Sequence, residues 1–328
     1  MTGRGEFDFI AQALAPLTGG YEGAYGLKDD GAVMAPPAGS AFAVTSDTLV
    51  EGVHFPDGED PAKAAWKALA ANVSDLVAMA AAPHAYLLNI VWPEGGPADR
   101  GEAFVEGLRK AQDRFGLRLA GGDTTRARGP WMISITAFGH VGEAGTPRRG
   151  GAKAGDLLVV TNTIGDAWLG LQQHLGAVRF DDAGHARFVD EAFRRPKPPV
   201  EAVSLLRGAA NAAIDVSDGL LADIGHLVSA SGLTGEVDLG AMPVSAAARA
   251  WLGAQPDEAK ARLDLATGGD DYQLVAAMPE AAASRFSGAL TELGQPARII
   301  GRLSKGEGVS VSFNGRRIES ERLGFTHF

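Results

Sequence analysis

Six short stretches set Asp beside Gly, Ser or a second Asp at the end of an apolar run. They are KDDGAV with Asp29 and Asp30, TSDTL with Asp47, NVSDL with Asp75, GGDTTR with Asp123, DVSDG with Asp215 and Asp218, and GGDDYQL with Asp270 and Asp271. Any one alone is what a helix N-cap or a tight turn requires. As a set they describe chemistry. Carboxylates at strand ends face the crevice in which α/β proteins bind ligands, and hard oxygen donors are what Mg²⁺ takes. The glycine pairs at 121–122 and 268–269 let backbone amides approach phosphate oxygens, and Thr124, Thr125 and Ser217 add hydroxyl donors. An acidic pocket repels a nucleotide until divalent ions bridge the two. The pattern therefore points to a metal–nucleotide site rather than a bare anion site.

Other chemistries are excluded or unsupported. The chain has no Cys, which removes thiolate nucleophiles, disulfides and Cys-based metal centres. There is no G-x-x-x-x-G-K-[ST] loop, no protein-kinase motif set, no zinc-type His spacing and no nucleophile-elbow serine. A formal net charge of -10 disfavours a nucleic-acid partner or a basic membrane-surface role. Glu6 and Asp8 interrupt any apolar region near the first residue, and the most membrane-like stretch, 76–92, contains Pro83, His84 and Asn89. A cytoplasmic protein with no membrane or nucleic-acid partner is expected.

The elements that must hold these aspartates follow from periodicity. Strand-like AFAVTS, AYLLNIVW, LRLAGG and WMISITAFGHV alternate with helix-like PAKAAWKALAANVSDLVAMAA and ADRGEAFVEGLRKAQDRFG, an α/β order. In the first helix Trp66, Leu69, Val73, Leu76, Val77 and Ala80 share an apolar face, whereas Asn72, Asp75 and Met79 share another. A carboxylate in so apolar a helix needs a partner. The glycine-rich stretch 142–156 precedes a fresh strand, DLLVVTN, so the domain boundary is expected there. Further on, Pro196, Pro198 and Pro199 introduce a helix from about Val200, and strands are expected at YQLVAAM, ARIIGRL and VSVSF. Asp215 and Asp218 fall where a strand hands over to a helix, with Ser217 and the helix N-terminus available to phosphate oxygens.

GEFDFI, DDGAV, TSDTLVEGVHF, KALAANVSDLVAMAA, GGDTTR, AIDVSDGL with DIGHL, GGDDYQL and the terminal GFTHF occur in this order along nearly the whole chain. The string resembles the thiamine-monophosphate kinase family, within the aminoimidazole-ribonucleotide synthetase superfamily. The resemblance implies a mixed α/β, two-domain fold. Residues 1–148 would form a sheet-bearing domain that binds ATP and metal and dimerises, and residues 149–328 a C-terminal α/β domain. It implies transfer of the ATP γ-phosphate to thiamine monophosphate, giving thiamine diphosphate and ADP, with several Mg²⁺ ions, no phosphoenzyme and a homodimeric assembly.

Carried over position by position, the resemblance makes Asp30, Thr45, Ser46, Asp47, Asp75, Asp123, Asp215 and Asp218 metal ligands, with Asp30, Asp75 and Asp218 central to catalysis. Ser46, Gly122, Asp123, Arg149 and Ser217 resemble nucleotide contacts. His54, Asp270 and Phe325 match positions that face the thiamine moiety, where a cationic thiazolium can lie against a ring face. Two departures stand out. The family usually writes Gly-Gly-Glu-Asp-Tyr-Glu where this chain has Gly268 to Gln273 as GGDDYQ, so the carboxylate at 270 is one methylene shorter. Gly31 stands where the family commonly has Ala. The competing readings are another ATP-dependent synthetase of the superfamily and a non-catalytic sensor of nucleotide or thiamine diphosphate. The Cys-dependent members are disfavoured by the composition, and the sensor by retention of every candidate metal aspartate.

Overall fold

The structure, a computed structural model, describes residues 6–97, 100–319 and 324. It divides into two compact units, the first running through Leu76 and over Ala81–Glu143, the second made of Val77–Ala80 with the chain from Ala144.

In the first unit a short helix α1 (Glu6–Phe9) and a series of tight helical turns reaching Leu27 lead to strand β1 (Ala41–Val50). Helix α2 (Pro61–Ala78), β2 (Ala82–Trp92), α3 (Gly101–Phe115), β3 (Arg118–Arg126) and β4 (Met132–Val141) follow. The sheet order is β1-β4-β2-β3, antiparallel except for the β2–β3 pair, which the crossover helix α3 makes parallel. Phe104, Leu108, Ala111 and Phe115 form the buried stripe of α3, which ends at Gly116 with φ 80°, a left-handed C-terminal stop. Trp92 and Trp131 stack with centroids 5.4 Å apart, with Phe104 edge-on to both.

Helix α2 departs from the one-faced expectation. Every residue from Ala64 to Ser74 is buried, Asn72 included, and only Asp75 and Met79 reopen to solvent. Six alanines between 62 and 71 make this possible, because small side chains let neighbours approach from all sides.

The second unit contains β5 (Leu157–Thr161), α4 (Asp166–His174), α5 (Ala183–Arg194), α6 (Ala202–Leu206), β6 (Ala212–Val216), α7 (Leu220–Ser231), β7 (Leu233–Asp238) and α8 (Ala246–Gly253). It continues with α9 (Glu258–Thr267), β8 (Gln273–Met278), α10 (Glu280–Glu292), β9 (Ala297–Lys305), β10 (Gly308–Phe313) and β11 (Arg316–Ile318). Seven strands pair in the order β11-β10-β7-β9-β5-β8-β6, and β5, β6 and β8 are buried along their whole length. Such strands read as unbroken apolar runs because both faces are covered. The helix expected from Val200 is only the five residues of α6.

Candidate functional site

Strand alternation decides what β1 contributes. Thr45 and Asp47 point to one face and Ser46 to the other. The Thr45 hydroxyl donates to the Asp75 carboxylate of α2, and Asp47 is hydrogen-bonded to Asp75 as well. Burial pushes the Asp47 carboxyl up to about 7, helped by the charge of Asp75 and by that hydrogen bond. Two carboxyls in contact at neutral pH need a proton or a cation between them. Thr45, Asp47 and Asp75 offer only oxygen, a donor set that fits Mg²⁺. The Ser46 hydroxyl is not part of this group: it bonds the Ile135 carbonyl at 3.2 Å and lies 3.0 Å from Thr136 Oγ1.

Asp30 and Asp123 meet elsewhere in the first unit. Both line a pocket of about 210 Å³ whose walls include Leu14, Leu27, Leu88 and Gly121–Gly122. Asp123 sits within β3, which runs on to Arg126, rather than at a strand end. Gly122 has φ 144°, and a Cβ there would lie 1.9 Å from the Leu88 carbonyl oxygen, so only glycine keeps β2 and β3 paired at this point.

His54 lies in the turn after β1. Its Nδ1 accepts the Val50 amide at 3.0 Å, and its own carbonyl accepts from Lys67 Nζ at 2.9 Å. Lys67 is 2% exposed, so a buried ammonium anchors the turn. Arg100 bonds both Glu51 oxygens, at 2.9 and 3.2 Å, and Glu51 accepts the Gly58 amide at 3.1 Å, closing the same segment.

In the second unit Asp215 is the buried fourth residue of β6, and Ser217 and Asp218 occupy the turn into α7. That turn is held by Asp223, whose Oδ2 accepts the amides of Ser217 at 3.0 Å and Asp218 at 3.1 Å. Burial, then the charges of Asp215 and Asp218, push the Asp223 carboxyl up to about 8 against the pull of those two amides. Asp218, Asp223 and His226 each bring one ligand atom within 4.8 Å of the others. Asp223 and His226 belong to the DIGHL stretch and have no site role in the sequence reading. Their spacing of three within a helix was the available signal.

The GGDDY segment lies against this turn and runs into β8 rather than out of an apolar strand. The Asp270 amide donates to the Ser217 carbonyl and the Tyr272 amide to the Val216 carbonyl, both at 2.8 Å. A Cβ on Gly269 would come within 2.4 Å of the Ser217 oxygen. Gly324 approaches from the other end of the sequence, where an added Cβ would sit 2.6 Å from the Asp218 carbonyl oxygen. Phe325, its neighbour, lies outside the described residues.

Arg149 is not brought to this turn. Its carbonyl accepts from Ser231, the last residue of α7, and Gly151 packs on Asn211, just before β6 begins. Asp218 precedes the first residue of α7, so a helix of 12 residues, roughly 18 Å, separates the two backbone positions.

Comparison with known proteins places this geometry. The model for AIR synthase related protein, N-terminal domain, matches residues 28–141, and that for the C-terminal domain matches 153–314. The class is thus a two-domain, AIR synthase related α/β protein. A curated thiamine-monophosphate kinase from Caulobacter vibrioides is 42% identical over 322 residues, 98% of this chain and 90% of its own length. The crystal structure of thiamine-monophosphate kinase from Stenotrophomonas maltophilia is 37% identical with a TM-score of 0.79, covering 89% of this chain and 91% of that one. The AaThiL structure complexed with AMPPCP and TMP covers all of both chains at 28% identity and a TM-score of 0.77. The chain belongs to the thiamine-monophosphate kinase family.

Proposed function

We infer that the protein transfers the γ-phosphate of ATP to the phosphate of thiamine monophosphate, giving ADP and thiamine diphosphate. Full-length identity to kinases of this name carries the reading. The acidic constellation is what such a reaction needs. The proposed Mg²⁺ ligands are Asp30, Asp47, Asp75 and Asp123 in the first unit and Asp215 and Asp218 in the second, with Thr45 completing the Asp47–Asp75 group. Bound Mg²⁺ supplies the positive charge that lets two polyanions approach. Gly122 is a proposed nucleotide contact, and Ser217 offers a hydroxyl just before a helix N-terminus. A phosphate monoester is already largely ionised at neutral pH, its second pKa lying near ~6, so none of the aspartates is assigned as a general base. His54, Asp270 and Phe325 are the proposed thiamine contacts, and Arg149 a proposed nucleotide contact.

Incubation with ATP, Mg²⁺ and thiamine monophosphate, followed by chromatography, is expected to yield thiamine diphosphate and ADP, with thiamine itself unreacted. Nucleotide binding without product would move the assignment to a sensor.

The raised carboxyls give the apoprotein a pH dependence whose sign is fixed. Asp47 rises from 3.8 to about 7 and Asp223 from 3.8 to about 8, so the folded state holds these protons more tightly than the unfolded chain. Their contribution to stability is complete below 3.8 and is lost as pH climbs through about 7 to 8. Mg²⁺ at the Asp47–Asp75 group would compete with the Asp47 proton, so the Mg²⁺-induced rise in Tm is expected to be larger at pH 8.5 than at pH 6. The reverse order in a thermal melt would remove the metal assignment.

The reading includes a homodimer in the cytoplasm. No helix among the described residues is long and apolar enough to cross a membrane. The dimer is supported by the face of β1 and β4 that carries Phe42, Val44 and Phe138. Val44 is 58% exposed and pairs with Phe138, and the Phe42 and Phe138 rings lie 6.0 Å apart. Sedimentation is expected to give a dimer for the parent and a monomer for Val44→Asp; a monomeric parent would sink this part of the reading.

A further inference from the structure

Asp271 is buried, at 6% exposure, and although it belongs to one of the six acidic stretches it has no site role of its own so far. It does not face the Ser217 turn through its hydrogen bonds. Instead its Oδ2 accepts the Gly165 amide at 2.8 Å and its Oδ1 the Ala167 amide at 3.3 Å, so each oxygen takes one donor at the N-terminus of α4. On either side of it the backbone is left-handed at non-glycine residues, with φ 71° at Asp270 and φ 49° at Tyr272. Such conformations are unfavourable for L-residues and persist only where surrounding contacts impose them. Here contacts on two sides impose them. One side of the segment is zipped to the β6–α7 turn by the Asp270 and Tyr272 amides. The other side is wedged on the first turn of α4, where a Cβ on Gly268 would lie 2.4 Å from the Trp168 Cβ. Asp271 is the side chain that ties this second side down.

We propose that Asp271 is a positioning residue: by clamping the Gly268–Tyr272 segment to the N-terminus of α4, it sets where the Asp270 carboxylate stands beside the Ser217–Asp218 turn. The inference rests on the reading of Asp270 as a thiamine-phosphate contact. An Asp side chain has two rotatable bonds, so its reach is set mostly by its backbone. This matters more here than with a Glu at 270, whose extra methylene can absorb a backbone error. Asp271→Asn keeps the size but turns a donor toward one of the two α4 amides, so the clamp loses a bond and gains a repulsion.

Three full-length variants test this: Asp271→Asn, Asp270→Ala and the double variant, each measured for KM of both substrates and for amide hydrogen exchange across 268–273. Asp271→Asn is expected to raise KM for thiamine monophosphate at least tenfold with KM for ATP within twofold. It is also expected to speed exchange of the Asp270 and Tyr272 amides at least tenfold. The double variant should be no worse than Asp270→Ala, because the clamp acts through Asp270. Unchanged exchange in Asp271→Asn, or losses that multiply in the double variant, would overturn the proposal. If Asp270→Ala leaves KM unchanged, it is the substrate reading of Asp270 that fails, and the exchange result then decides the clamp alone. Should Asp271→Asn not fold, Ala167→Pro removes one of the two donors at a first-turn position where proline is tolerated, and the same exchange criterion applies.

Discussion

Asp75→Asn lowers turnover by about 10²- to 10³-fold, the range seen when a preorganised electrostatic group is removed, while the metal-free protein becomes more stable at pH 8. The two effects have one cause. Asp75 sits against Asp47, and its charge and hydrogen bond help hold the Asp47 carboxyl up at about 7. Above about 7 the Asp47 carboxyl gives up its proton, and without a cation its charge is opposed by that of Asp75 across a partly buried contact. Asparagine removes that repulsion, and its Oδ1 still accepts the Thr45 hydroxyl that now bonds Asp75. The helix loses nothing else, because the residues flanking position 75 are packed through Ser74, Leu76 and Val77. Activity at saturating ATP and Mg²⁺, with a melt in EDTA at pH 8, reads both quantities. An active variant would remove Asp75 from the metal set. An inactive variant that melts well below the parent would make its role structural.

Much of this site was legible because its chemistry is carried by short words. Asp30, Asp47, Asp75, Asp123, Asp215 and Asp218 were all visible as Asp next to small or turn-forming residues. What the words did not carry was the partner. The family resemblance groups Thr45, Ser46 and Asp47, whereas strand alternation puts the Ser46 side chain on the opposite face from the other two. The contact between Asp47 and Asp75 joins residues 28 positions apart and needs α2 laid on the sheet. The β strands called YQLVAAM, ARIIGRL and VSVSF are where the apolar runs placed them, and β5 follows the glycine-rich stretch. Missed elements left weaker but real signals. The Asp182, Ser245 and Asp257 side chains cap α5, α8 and α9 by accepting the amide three residues on, a spacing that can be read without a structure. Helix α2 departs from its expected face for a physical reason: six alanines within 62–71 blur the amphipathic contrast on which face assignment depends. Asp223 and Asp271 carry no such signal: the amides Asp223 accepts lie 5 and 6 residues before it and those Asp271 accepts lie 104 and 106 residues away, outside any capping spacing.

The same distinction between side chain and backbone makes the strongest test in the second unit. Asp218→Asn is expected to abolish measurable turnover with the melting temperature unchanged or slightly raised. What Asp218 gives the fold is its amide, which donates to Asp223 at 3.1 Å and survives the substitution. Its carboxylate gives the fold only repulsion, since that charge is one of those pushing Asp223 up. Asp223→Ala should behave in the opposite manner. It strips the acceptor from two amides at the start of α7 and costs about 2 kcal/mol or more, as unsatisfied donors beneath a helix end do. A side-by-side urea titration and kinase assay of the two variants separates ligand from scaffold. If Asp218→Asn keeps its activity, the β6–α7 turn has no metal role and Asp215 must be reassigned with it. If it loses stability as Asp223→Ala does, the carboxylate at 218 belongs to the fold rather than to the reaction.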